Sequence, residues 1–288
     1  MTSFIPWVGG KAKLAPEILK YFPEKVRHYY EPFCGSCAVG LAYFKQADTL
    51  YFNDDNRDLI DFLFCAMVWP MQLLGQLKAL AWEYDKVPLE EKKEFYFRIR
   101  DHFNSLPGKA FDAEDVLRRR AEFFFLLKQG FQSLWRVNSR GQFNVPPRDP
   151  KTRPDFTYPY QDIITFSLLS KEKPVLLSIG SWKDLIKEHK QEMTSKDLIY
   201  FDPPYDKTFV DYRADGFNSN SQKELADTFK ELSDMGIKCV LSNSYTDYIQ
   251  ELYKDYTIIV LNRNNTWGAT GKQGKKVPEC LILSYKEL

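Results

Sequence analysis

Short apolar runs bounded by polar turns alternate along the chain with longer stretches of helical period, the pattern of an α/β fold. Strands are predicted from Tyr29 to Glu31 and at Thr49–Asn53, Val175–Ser178, Asp197–Phe201, Lys238–Ser242, Tyr256–Leu261 and Glu279–Tyr285, where β-branched and aromatic residues cluster. Helices are predicted over Leu14–Tyr21, Cys37–Phe44, Leu59–Val68, residues 78–112 with Pro88 and Pro107-Gly108 as punctuation, Trp182–His189 and Asp247–Lys254, with a very apolar helix at Phe123–Leu127. Ser221-Gln222-Lys223-Glu224 reads as a capping box opening a further helix, with Leu225, Phe229 and Leu232 on one face and a stop near Gly236. No helix separates the last two strands, so they are expected to pair antiparallel at one sheet edge. Residues 206–220 and Arg263–Pro278 read as polar, glycine-containing loops, the first lying over the site.

The α/β alternation is interrupted. From Trp69 the chain turns helical and charged, and it resumes its alternation only after the Pro/Tyr-rich linker Pro154–Tyr160. This predicts a discontinuous unit, residues 1–68 with 161–288, carrying an insertion at 69–160. A chain of 288 residues is long enough for such an arrangement. The whole chain carries only +1, yet Val116–Arg153 alone carries a net +7. Arg118, Arg119, Arg120, Lys128, Arg136, Arg140, Arg148, Lys151 and Arg153 are opposed there only by Glu122 and Asp149. So local a charge is the footprint of a polyanion. Phe131, Gln132, Trp135, Asn138, Gln142, Phe143 and Asn144 are interleaved with it, and Arg, Asn and Gln are the side chains that read purine edges. A solvated basic face beside the apolar helix is the competing reading for Arg118–Arg120.

The remaining bulk properties narrow the class. The five cysteines include one Cys-x-x-Cys, Cys34 and Cys37, without a second pair or a nearby His, so reduced thiols are expected rather than a metal site. No leader and no membrane-length apolar run is visible, which predicts a soluble intracellular protein.

Three stretches carry chemistry. Glu31-Pro32-Phe33-Cys34-Gly35-Ser36 places a glycine turn between a strand and a helix, the start of a Rossmann-like half. It is not Gly-x-Gly-x-x-Gly, so a nicotinamide dinucleotide is not indicated. Asp54, at the end of the second strand, stands where an acidic residue binds ribose hydroxyls; capping the next helix is the alternative. Asp202-Pro203-Pro204-Tyr205 follows a fully apolar strand. Neither proline has an N–H to donate, so the sheet ladder stops there and leaves a rigid corner. That corner offers a carboxylate, backbone carbonyls and an aromatic face, which suits a planar base bearing an exocyclic amine. Gly9-Gly10-Lys11, before the first helix, permits close approach to a ligand, though taken alone a simple turn explains it.

Taken together, these blocks resemble the Dam-type (D12 class) DNA adenine-N6 methyltransferases. The matching blocks, in family order, are Trp7-x-Gly-Gly-Lys11, Glu31-Pro-Phe-x-Gly35, Asn53-Asp-x-Asn56 and Asp202–Tyr205. Leu134-x-Arg136-x-Asn138, Phe143–Pro146, Leu241–Asn243 and Gly274–Glu279 match as well. The resemblance implies a Rossmann-like S-adenosylmethionine-dependent methyltransferase sheet, with an antiparallel last strand and an inserted, mostly helical DNA-recognition domain. It implies cofactor contacts at Trp7, Lys11, Phe33, Gly35, Asp54 and Asp202, and catalysis at Asp202, Pro203, Pro204 and Tyr205. Double-stranded DNA would be read by Phe131, Leu134, Arg136, Asn138, Asn144 and Pro146, at GATC or a related site. It further implies a metal-free monomer in a bacterial or phage-infected cytoplasm, with any cognate restriction endonuclease acting separately. Cys37 stands where the family commonly has a second glycine, Pro6 where many members have a lysine, and Lys128–Ser133 also departs from the usual pattern. An RNA adenine, a cytosine N4 and an inactive DNA-binding module are the competing readings.

Overall fold

The computed structural model describes residues 1–106, 113–205, 217–261 and 278–286. Leu198–Phe201 is buried at every position, as expected of a strand covered on both faces. It is β4 of a single seven-stranded sheet. The others are β1 (Val26–Glu31), β2 (Ala47–Asp54), β3 (Val175–Ile179), β5 (Lys238–Ser244), β6 (Thr257–Leu261) and β7 (Glu279–Leu283). The strand order is β3-β2-β1-β4-β5-β7-β6. All neighbours are parallel except β7, which runs antiparallel to both β5 and β6. The last two strands pair antiparallel as expected. The inner place falls to β7, buried from Cys280 to Leu283, while β6, with Thr257 and Val260 exposed, takes the edge.

The strand order reverses between β1 and β4, and the crevice at the carboxyl ends of such strands is where open α/β sheets bind ligands. Ten α-helices surround the sheet among the described residues: α1 (Ala15–Ile18), α2 (Ala38–Ala42), α3 (Arg57–Val68), α4 (Pro70–Asp85), α5 (Lys92–Ser105), α6 (Ala113–Gln129), α7 (Tyr160–Glu172), α8 (Trp182–His189), α9 (Ser219–Asp234) and α10 (Asp247–Leu252). Leu225, Phe229, Leu232 and Ile249 close one face of the sheet, around Ile199, Phe201 and Leu241. On the other face one apolar core runs without a break from Leu198 and Tyr200 into the helices of the insertion. Phe62 of α3 stacks on Phe124 of α6 with ring centroids 5.4 Å apart.

Two boundaries differ from the sequence reading. The helical stretch expected over 78–112 breaks at Pro88 as its punctuation predicts, but its first helix starts earlier, at Pro70, where a proline is well placed at a first helical position. Its last residues, 107–112, lie outside the described residues, as do 206–216 and 262–277 of the two predicted loops. α9 is capped by Asn218, whose side chain accepts from the N–H groups of Asn220 and Ser221. Ser221 therefore sits inside the helix, and its hydroxyl is not the cap.

The basic segment divides in two. Arg119 is buried against Asp58 with Nε–Oδ1 at 2.9 Å and Nη2–Oδ2 at 3.0 Å, and it also caps the carbonyls of Phe103 and Leu106. Arg120, only 2% exposed, bridges Asp58 and Asp61. Arg118 holds the buried Glu122 at 2.7 Å. These three arginines join α6 to α3 and to the chain around it; they are structural. Lys128, Arg136, Arg140, Arg148, Lys151 and Arg153 form no ion pair with a described carboxylate. Burial and the adjacent Arg153 and Arg148 push the Lys128 ammonium below its ordinary range.

Candidate active site

At the carboxyl ends of β1, β2 and β4 lies a cavity of about 830 Å³. Its wall is assembled from the glycine turn after β1, Asp54 at the end of β2, the prolyl corner after β4, and Trp7–Lys11. Phe33, Gly35 and the whole of Asp202–Tyr205 open onto it. Every cofactor and catalytic residue named from the sequence thus lines one space. Their chemistry then depends on what each touches.

Gly35 has φ +45°, and a Cβ there would stand 3.0 Å from Trp7 Cδ1. The indole ring can lie against this turn only because position 35 carries no side chain. Cys37, the departure from the family pattern, also adopts a left-handed backbone, with φ 53°. The turn keeps its glycine-like geometry with a buried cysteine in place, at a cost of roughly 1–2 kcal/mol. All five cysteines are free and buried.

Asp54 reaches back across the turn. Its Oδ2 accepts from the Gly35 N–H at 3.0 Å, and its Oδ1 accepts from the Asn56 N–H at 2.9 Å. The helix cap is Asn56, accepting from Leu59 N–H at 3.0 Å, so Asp54 is free of that duty. Burial pushes its carboxyl up to about 7, against the pull of the two N–H donors.

The prolyl corner is crowded with charge. Lys11 is almost fully buried, with Nζ 2.9 Å from Asp202 Oδ1. It also donates to the Gly9 carbonyl at 2.9 Å and lies 4.6 Å above the Tyr205 ring. Burial raises the Asp202 carboxyl above its ordinary range, and Lys11 opposes that rise. The Tyr205 hydroxyl donates to Glu279 Oε2 at 3.3 Å, while its ring is half-buried beside the cavity. Among the described residues no donor meets the Pro203 carbonyl. The Pro204 carbonyl is already taken, by Gln222 Nε2 at 2.9 Å.

Four further lining residues carry little or no local signal in the sequence. Trp182, from the start of α8, lies with its ring centroid 5.9 Å from that of Phe33, and Phe217 meets Phe33 edge-on at 5.7 Å. Glu31 is buried, held by the Tyr29 hydroxyl at 3.0 Å and the Gly40 N–H at 3.1 Å, and its burial raises it well above the carboxylate range. Glu279 arrives from β7. Only Glu31 and Glu279 carried a prior signal, since both stand inside matched blocks; no local pattern marks the two aromatics.

The residues expected from the sequence to read bases occupy a separate loop, Phe131–Pro147, pinned by bridges between Gly130 and Pro147 and between Val137 and Phe143. Ring contacts join it to the cavity: Trp7 to Phe123 at 6.5 Å, then Phe123 to Trp135 and Trp135 to Phe143, each at 5.1 Å. Phe131 is 47% exposed on a turn whose next two residues, Gln132 and Ser133, have φ 52° and 55°. Arg136 is exposed, with Nε donating to Asn144 Oδ1 at 2.8 Å. Pro146 is exposed and Leu134 half-buried. Asn138 spends its Oδ1 on the N–H groups of Arg140 and Gln142, which shapes the turn.

A mostly parallel sheet of this order, with one antiparallel strand and a cavity at its switch point, has the architecture of a Rossmann-like methyltransferase fold. The chain matches the family described as D12 class N6 adenine-specific DNA methyltransferase over residues 7–266, and it belongs to that family. It is an adenine-specific DNA methyltransferase. A type II methyltransferase of Lactococcus lactis, M1.LlaDCHI, is 31% identical, covering 98% of this chain and 95% of its own length. M.MjaIII of Methanocaldococcus jannaschii is 32% identical over 98% of both chains. A DNA adenine methylase of Vibrio cholerae is 30% identical over 98% of this chain and 95% of that one. Among the described residues no single helix is long and apolar enough to cross a membrane.

Proposed function

We propose that the protein transfers a methyl group from S-adenosylmethionine to N6 of an adenine rotated out of double-stranded DNA, within GATC or a related sequence. The observation that carries this reading is the corner itself: Asp202 and a Pro203 carbonyl that no described donor meets, beside the Tyr205 ring and lining a cavity of about 830 Å³. An adenine amine is unreachable inside the duplex, and extruding it costs a few kcal/mol. Once extruded, its N6 lone pair is delocalised into the ring and is a poor nucleophile. Asp202 and the Pro203 carbonyl accept its two N–H bonds and return electron density to N6. Tyr205 holds the ring by stacking. The work is positioning and electrostatics, with no covalent enzyme intermediate.

The residues on the other side of the cavity fit the cofactor. Phe33 and Trp182 present an apolar slot for its adenine, Asp54 accepts ribose hydroxyls, and Trp7 with the Gly35 turn flanks the remainder. When bound, the cofactor supplies an electrophilic methyl group on sulfonium. Residues 69–160 are assigned to target recognition, with Phe131 as an apolar wedge on a strained turn and Arg136, Asn144 and Pro146 beside it. Lys128, Arg148 and Arg153, without carboxylate partners among the described residues, suit backbone phosphates.

Incubation with labelled cofactor and DNA of many sequences, followed by mapping of the product, tests the reading. N6-methyladenine at one recognition sequence is expected; methyl on cytosine N4, or none, would overturn it. In the same assay Arg136→Ala should cost about 1–3 kcal/mol and relax one base position, as loss of a guanine contact does. A loss spread evenly over all sequences would mark Arg136 as a phosphate contact instead.

The raised Asp54 carboxyl gives a second test. Only the carboxylate accepts two ribose hydroxyls, and the free protein holds a proton there below about pH 7. Cofactor affinity should therefore rise with pH, by up to about tenfold per unit below that value, and level off above it. Calorimetric titration in buffers of different ionisation enthalpy should detect proton release near pH 6.5 that vanishes in Asp54→Asn. Affinity that stays flat from pH 6 to 8 would remove Asp54 from the ribose site.

A further inference from the structure

The prolines of the corner cannot anchor themselves by donating hydrogen bonds, so the corner must be held through its acceptors. One buried chain does this. The Ser244 N–H donates to Asn243 Oδ1 at 2.8 Å, Asn243 Nδ2 donates to Gln222 Oε1 at 3.0 Å, and Gln222 Nε2 donates to the Pro204 carbonyl at 2.9 Å. Its polarity is forced from both ends, because an N–H can only donate and a carbonyl can only accept. Gln222 is 2% exposed and Asn243 is 0% exposed, so neither amide has water as an alternative partner. Breaking the link to Pro204 would take from the buried Gln222 amide the acceptor of its N–H.

The chain also joins separate parts of the site. Asn243 stands on β5, where it pairs with Cys280 of β7, and the next pair, Ser244 with Glu279, supplies the carboxylate that holds the Tyr205 hydroxyl. Gln222 lies in the first turn of α9, four residues after its cap. That same helix start carries Phe217, which packs on Phe33, and Ser221, which lines the cavity. One helix end thus touches the slot assigned to the cofactor and the corner assigned to the target amine. Because Gln222 occupies the Pro204 carbonyl, the other prolyl carbonyl of the corner, that of Pro203, is the one no described donor meets.

We infer that Gln222, backed by Asn243, is a positioning residue for methyl transfer: it fixes the Pro204 carbonyl and thereby aims Asp202 and the Pro203 carbonyl at the target amine. The inference rests on the assignment of that corner to the amine. A misplacement of about 1 Å at a reacting group can cost on the order of 10²-fold in rate.

Gln222→Met, which keeps the length and removes the donor, should lower the single-turnover rate by that order while leaving cofactor and DNA dissociation constants near wild type. Gln222→Glu is the discriminating variant. Its protonated carboxyl can still donate to Pro204 and accept from Asn243, whereas its carboxylate would face a carbonyl oxygen. The ratio of its rate to wild type should therefore fall as pH rises, while the ratio for Gln222→Met stays low and flat. Lys11, Glu31, Asp202, Tyr205 and Glu279 surround this corner in all three proteins, so whatever they contribute cancels in the ratio. Cofactor titration of each variant reports folding, so a collapsed Gln222→Met leaves the pH test of Gln222→Glu standing. Wild-type single-turnover rates in Gln222→Met, or a Gln222→Glu ratio independent of pH, would overturn the inference. A wild-type protein that methylates no adenine would instead overturn the assignment beneath it.

Discussion

Asp202→Ala is expected to lower methyl transfer by on the order of 10³-fold or more while leaving DNA affinity largely intact. Two contributions add. The carboxylate accepts a charge-assisted hydrogen bond, worth about 1.5–3 kcal/mol. It also stabilises positive charge developing on N6 in a water-poor site, where removal of one preorganised partner costs about 2.7–4 kcal/mol. DNA affinity comes mainly from phosphate contacts, which the substitution does not touch. The change also releases the buried Lys11 from its 2.9 Å ion pair, so Lys11→Met in the same background separates the lost acceptor from a newly unpaired cation. Quenched-flow methylation and a DNA-binding titration on one preparation decide the matter. Transfer at a wild-type rate would remove Asp202 from the chemistry.

How far this site could be read beforehand depended on how local each signal was. β4 and its prolyl corner were legible because burial on both faces writes a continuous apolar run and the prolines end it. The glycine turn was legible for the same reason: Gly35 answers a local steric demand against Trp7. α9 shows the limit. Asn218, Ser219, Asn220 and Ser221 are all residue types that cap helices, and Ser-x-x-Glu favoured the wrong one. What selects Asn218 is tertiary: Gln222 must be helical to reach Pro204. Trp182 and Phe217 left no trace because they meet Phe33 only once the sheet has formed. The charge count over Val116–Arg153 was correct as arithmetic, but it could not distinguish arginines whose carboxylate partners lie some 60 residues away from those with no carboxylate partner among the described residues.

That distinction sets the largest expected loss of stability. Arg120→Met should destabilise the fold by about 3–5 kcal/mol, the range for removing one member of a buried ion pair. The guanidinium, 2% exposed, bridges Asp58 and Asp61. Without it Asp61, already raised by burial, loses the largest of the arginine charges that draw its carboxyl down, and Asp58 keeps Arg119. In chains of about this size each kcal/mol moves the melting temperature by about 2–4 °C, so the shift is easily resolved by calorimetry. Arg140→Met is the counterpart. Arg140 is exposed, its side chain forms no ion pair with a described residue, and its loss should change stability by less than about 0.5 kcal/mol. The two should exchange rank in a DNA titration. If Arg140 meets a phosphate, its replacement lowers the dependence of log affinity on log salt by about one, and Arg120→Met, assayed well below its melting temperature, leaves that slope unchanged. A destabilised Arg140→Met beside an unaffected Arg120→Met would reverse the division of this segment into arginines that join α6 to α3 and arginines free to meet DNA.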